Sequence, residues 1–77
     1  MAMKGQIKLR KEIADRLKQA RIAAGYQTAS EFSQKYALNP KVYVAHEEGK
    51  NALKASHAHA YARHLNVSLF WLMLGSD

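Results

Sequence analysis

The chain has 77 residues, no cysteine and a formal net charge of +6. That length supports one small domain, and the missing cysteines exclude both a disulfide framework and a thiolate-bound zinc ion as its staple. Hydrophobic residues at 48% fill one core and argue against disorder, while no apolar run nears the roughly 18 residues of a membrane span and nothing resembles a cleavable signal, so a soluble cytoplasmic domain with no membrane partner is expected.

Positive charge crowds the front of the chain. Residues 1–25 hold Lys4, Lys8, Arg10, Lys11, Arg16, Lys18 and Arg21 against Glu12 and Asp15. Residues 1–9 read as a basic N-terminal arm and 10–77 as the folded domain. A basic balance of this kind points to a polyanionic partner, nucleic acid before membrane. Lys4, Lys8, Arg10 and Lys11 suit an arm that wraps a duplex or enters a minor groove, or an ordinary basic tail.

Strand signals are nearly absent, and the apolar spacing predicts an all-α domain of five short helices. Ile13, Leu17, Ala20 and Ala24 fall at i, i+4, i+7 and i+11, which predicts a first helix over about 10–24; Gly25 ends it. Thr28-Ala29-Ser30-Glu31 fits a capping box opening the second helix, whose apolar face is Ala29, Phe32, Ser33 and Tyr36. Asn39 is a good N-cap with Pro40 at the first helical position. The β-branched cluster Val42-Tyr43-Val44 therefore reads as the third helix, stopped by Gly49. The fourth runs over roughly 55–65, with Ala58, Ala62 and Leu65 inward and Tyr61 beside them. The fifth opens at Ser68 and runs Leu69-Phe70-Trp71-Leu72-Met73-Leu74 to Gly75, apolar all round. One core is expected from Ile13, Leu17, Ala20, Phe32, Tyr43, Ala62, Leu65 and Leu72.

Helices two and three are separated by a tight turn at Ala37-Leu38, the arrangement of a helix-turn-helix unit. The ordered series Leu17-x-x-Ala20-Arg21-x-x-x-Gly25, Thr28-Ala29-x-Glu31-Phe32-Ser33, Leu38-Asn39, Tyr43-x-Ala45-His46-Glu47-x-Gly49 and Asn66-Val67-Ser68-x-x-Trp71-Leu72-x-x-Gly75 resembles the phage-repressor/Cro type of helix-turn-helix domain (the lambda-repressor-like family). The resemblance spans Leu17 to Gly75. It implies a five-helix bundle that binds double-stranded DNA sequence-specifically, as a transcriptional repressor, bacterial or phage-encoded and nucleoid-associated. The chain departs from the family at Ala29, where Gln is usual, and at Ala37, where Gly is usual. Its first connection is one residue longer, and its fourth helix is built from Ala and His.

On a recognition helix beginning at Pro40, the Cβ vectors turn Pro40, Lys41, Val44 and Ala45 outward and Tyr43, His46 and Glu47 toward the core. Lys41 suits guanine O6/N7 or a nearby phosphate, and the apolar three suit thymine methyls, so readout leans on groove shape. The helix-two N-terminus at Thr28, Ala29 and Ser30 offers N–H groups to a phosphate, and Lys50, Asn51 and Lys54 line a phosphate track. The resemblance makes Arg21 and Glu47 an interior ion pair that fixes helix three; the alternative is two solvated surface charges. Phe70, Trp71, Met73 and Leu74 exceed what so small a core needs and suggest a partner surface. In this family such a surface forms a two-fold dimer that spaces two recognition helices by about 34 Å; the alternative is that Trp71 and Leu72 cap the core alone.

His57, His59 and His64 are spaced by two, five and seven residues, with no acidic partner nearby, so no metal is expected, and His46 reads as a core histidine with one hydrogen bond. No catalytic constellation, cofactor motif or small-molecule site stands out. Two other functions compete with the repressor. One is the antitoxin of a toxin–antitoxin pair, which needs a toxin-binding surface or tail, whereas this sequence stops right after helix five. The other is an interaction module that has lost DNA binding, suggested by the apolar recognition face.

Overall fold

The computed structural model describes residues 4–76, with the backbone alone for 4–8. Among these residues five helices form and no strand: α1 (Lys4–Ala23), α2 (Ala29–Lys35), α3 (Pro40–Glu47), α4 (Ala55–Leu65) and α5 (Leu69–Leu74). No described helix is long and apolar enough to cross a membrane.

α1 begins at Lys4 and not near residue 10, so the backbone expected as a separate arm is helical from there. Its positive charge suggests an arm, but Gln, Lys and Leu in this stretch are good helix formers and only Gly5 disfavours the helix. Arg10 is half-buried and Lys11 lies beside Gly49, so both belong to the body of the bundle. The side chains of Lys4 and Lys8 lie outside the described residues. At the other end Gly25 takes φ +99°, and the Tyr26 N–H returns to the Arg21 carbonyl at 3.1 Å. Ala24, expected on the inner stripe, is exposed because α1 has already stopped.

The remaining boundaries follow the caps. Thr28 opens α2 by accepting from the Glu31 N–H at 3.1 Å. The second half of the capping box differs: Glu31 Oε1 accepts from the Thr28 hydroxyl at 3.3 Å. Asn39 Oδ1 accepts from the N–H groups of Lys41 and Val42 at 3.0 and 3.2 Å, with Pro40 in the first turn of α3. Between them Ala37 holds the left-handed conformation at φ +53°, at about 1 kcal/mol of strain. Ser68 Oγ caps α5 at Trp71 N–H, and α4 ends on left-handed Asn66. Gly49 follows α3 at φ +73°, a left-handed conformation that favours glycine, and it lies in ordinary contact range of Lys11 on α1.

All eight residues expected in the core are buried, joined by Ala14, Ala58 and Tyr61. Phe32 is the hub. Its ring centroid lies 4.9 Å from Tyr43, 5.3 Å from Tyr36 and 5.4 Å from Tyr26, in the tilted and edge-on arrangements that ring quadrupoles favour. Buried Ser33 satisfies its hydroxyl by donating to the Ala29 carbonyl at 2.8 Å. One fastening has no counterpart in the sequence pattern: Arg16 of α1 donates from Nε to the Leu72 carbonyl at 2.9 Å and from Nη2 to the Met73 carbonyl at 3.1 Å. It thereby supplies donors to the carbonyls that the end of α5 leaves without helical partners.

Candidate nucleic-acid interface

Tyr43 and His46 bury their side chains under α3, and this turns the opposite side of the helix to solvent. Pro40, Lys41 and Val44 are exposed and Ala45 is half-buried. Val42, which the Cβ vectors did not assign to this side, is exposed as well. Pro40, Lys41, Val44, Ala45 and Lys50 line one shallow depression with Glu48, a residue that no sequence motif marks. Thr28, Ala29, Ser30, Asn51 and Lys54 do not line it. Among those five, Ala29 is half-buried, while Thr28, Ser30, Asn51 and Lys54 are exposed.

The Arg21–Glu47 pair sets how α3 sits. Arg21 is 4% exposed, so the two-surface-charges alternative fails. Its Nε donates to both Glu47 carboxylate oxygens at 3.0 and 3.2 Å, its Nη2 to Oε1 at 2.8 Å, and its Nη1 to the Tyr26 carbonyl at 2.7 Å. One guanidinium thus ties α1, the α1–α2 loop and α3 together in the bidentate geometry that suits arginine. The carboxylate raises the Arg21 pKa above its ordinary value, against the opposing effect of burial. The Tyr43 hydroxyl is buried nearby with no hydrogen bond of ordinary geometry. Burial first, and then the Glu47 carboxylate, hold it far above the usual phenol range.

Two details refine how this surface meets an anion. Asn39 occupies the first free N–H groups of α3, and Pro40 has none, so contacts from the start of α3 come from side chains. By contrast, Lys54 is the N-cap of α4 and makes no side-chain cap, which leaves the first-turn N–H groups of α4 to solvent or an anion. Lys50 is not a free cation: its Nζ lies 3.3 Å from Glu48 Oε2, both side chains being well exposed. Such a surface pair is worth about 0–1 kcal/mol, little enough for a phosphate to displace.

The four residues expected as a partner surface on α5 separate into two pairs. Phe70 and Leu74 are 65% and 69% exposed, joined by Leu69. Trp71 is half-buried against the core, as the core-capping alternative had it. Met73 turns into a groove with Leu9, Ile13 and Leu53. A helix apolar on every side offers no periodicity from which this division can be read.

His46 is the hydrogen-bonded core histidine expected, its Nδ1 3.0 Å from the Tyr61 hydroxyl. Among the described residues no three His, Asp or Glu side chains converge as metal ligands do. His64 instead stacks on Tyr36, ring centroids 4.0 Å apart. Compared with protein-family models, with curated proteins and with solved structures, the chain matches none.

Proposed function

We infer that the chain is a sequence-specific double-stranded-DNA-binding domain of the phage-repressor helix-turn-helix type. In this reading α2 and α3 are the helix-turn-helix, and the domain is a transcriptional repressor that binds a pseudo-palindromic operator as a homodimer, with no cofactor and no catalytic role. The observation that carries it is the two-sided character of α3. Its inner side is locked by the buried Arg21–Glu47 pair and Tyr43, while its outer side presents Pro40, Lys41 and Val44 in one depression with exposed Lys50, and Lys54 is exposed at the start of α4. A rigidly seated helix with a short, mostly apolar outer side and flanking cations suits groove docking held by phosphate contacts. Readout is then modest, through Lys41 and methyl contacts.

Mobility-shift titrations of a selected site and a scrambled duplex, each at two salt concentrations, test this. Lys54→Ala weakens both duplexes alike and flattens the log–log salt slope by about 0.9 for each phosphate it no longer neutralises. Lys50→Ala acts in the same way but less, because Lys50 must first leave Glu48. Lys41→Ala costs the selected site about 1–3 kcal/mol more than the scrambled one. If none of the three substitutions changes either affinity, the DNA-binding reading is wrong. Exposed Val42 and Val44 then favour a protein-interaction module.

A further inference from the structure

A buried cluster between α3 and α4 takes no part in the DNA contacts above. His46 of α3, 6% exposed, meets the hydroxyl of Tyr61, 2% exposed, at 3.0 Å. One turn earlier on α4, His57 places its ring centroid 4.9 Å from that of His46 and 6.0 Å from that of Tyr61. His57 Nδ1 is buried without a hydrogen-bond partner. Two imidazoles and a phenol therefore share one small space under the proposed recognition helix.

Among the described residues, the charges around this cluster offer a proton no counter-charge. On α3 the carboxylate is Glu47, whose two oxygens are engaged by Arg21. From α1 come Arg21 and, beside Gly49, the backbone of Arg10 and Lys11. From α4 come His57 and Tyr61, the latter with its phenol pushed up to about 12 by burial. In the connecting loop Glu48 faces outward to Lys50. A charged His46 would thus be desolvated next to a second imidazole with no free carboxylate.

We propose that the His46–Tyr61–His57 cluster is an acid-sensitive latch: protonation of His46 unseats α3 from α4 and disables the outer side of α3. Burial first, and then His57, lower the pKa of His46 below its ordinary 6.5. Between that lowered value and 6.5 the folded chain binds fewer protons than the unfolded one. Stability is therefore complete above about pH 6.5 and declines as the pH falls toward the lowered value. Over that window the unfolding constant rises by up to about tenfold per pH unit, the limiting slope for one proton. The sign sets the latch apart from simple electrostatics, since added positive charge on a surface tightens its hold on a polyanion.

Thermal unfolding of the wild type between pH 8 and 5, with NMR titration of the histidine ring protons, is the primary test. His46 titrates below 6.5 and the midpoint temperature falls in the same window. His46→Asn, whose amide takes the place of Nδ1 and cannot charge, flattens that fall; His59→Asn leaves it unchanged. Should His46→Asn not fold, His57→Gln serves, raising the titration midpoint of His46. A wild-type His46 titrating at 6.5 or above, or a His46→Asn protein that follows the wild-type pH profile, overturns the latch. The further consequence rests on the DNA-binding reading: duplex affinity drops from pH 7.5 to 5.5 in the wild type and not in His46→Asn. Absence of binding at every pH would count against that reading alone, because the unfolding profiles judge the latch without DNA.

Discussion

Arg21 and Arg16 lie five residues apart on α1, and each fastens one short helix, but they do so by different chemistry. Arg21 is buried and faces the Glu47 carboxylate of α3 through three N–H···O contacts. Arg16 is half-buried and faces two backbone carbonyls of α5. The first is a charge pair taken out of water, so each partner depends on the other to offset its desolvation. The second is a helix cap at a wetter end, where water can replace either member. The α3 seat is therefore brittle and specific, while the α5 seat is forgiving, and their outer sides differ in the same sense. α3 exposes a lysine and small apolar groups in one depression with Lys50, and α5 exposes Leu69, Phe70 and Leu74.

The largest expected effect follows from the buried pair. Glu47→Ala leaves the Arg21 guanidinium buried without its counter-charge and lowers stability by about 3 kcal/mol, a large share of a margin near 5–10 kcal/mol. Glu48→Ala, one residue on, removes only the exposed contact to Lys50 and lowers stability by about 0.5 kcal/mol or less. Denaturant unfolding of both variants checks this. Equal midpoints would place Glu47 among the surface charges and erase the difference between the two arginines.

A smaller effect is expected at α5. Arg16→Met keeps the aliphatic stem and removes the donors to the Leu72 and Met73 carbonyls, at about 1 kcal/mol. Hydrogen exchange sharpens the contrast: amides of α5 exchange faster in this variant while those of α3 keep their protection. A loss that spreads equally over α3, or that matches Glu47→Ala in size, would show that α5 is not a separately held element.

Much of this frame is legible in the residues. Thr28 with Glu31, Asn39 with Pro40, Ser68, and the three positive-φ glycines Gly25, Gly49 and Gly75 mark element ends because capping chemistry is local. Helical spacing marks Leu17, Phe32, Tyr43 and Leu65 as core, and the facing pair Arg21 and Glu47 comes from the family resemblance. What the sequence hides is physical in origin. Arg16 binds main-chain carbonyls, which every residue carries, so no side-chain pattern announces its partner. Basic charge over residues 4–9 suggests an arm, but charge does not choose a backbone conformation, and α1 extends through that stretch. Glu48 and Lys50 meet across the turn after α3, where helical spacing no longer applies.

The smallest effect on the fold carries the sharpest statement about α5. Phe70 and Leu74 are mostly exposed, so replacing both with serine changes stability by only about 0.5 kcal/mol. Trp71 is unsuited to the same test, because it packs against the core and its removal would mix unfolding with loss of association. If α5 joins two copies, the Phe70→Ser/Leu74→Ser protein keeps its circular dichroism and melting temperature but loses self-association in sedimentation. Its affinity for a two-half-site operator then falls toward that of a single half-site, since each domain must bind alone. Lys54→Ala, in contrast, leaves association intact and weakens binding to every duplex. A wild-type protein that sediments as a monomer with and without DNA would remove the dimer from the proposal. The α3 surface would then have to act singly, and the apolar side of α5 would remain for some other protein to cover.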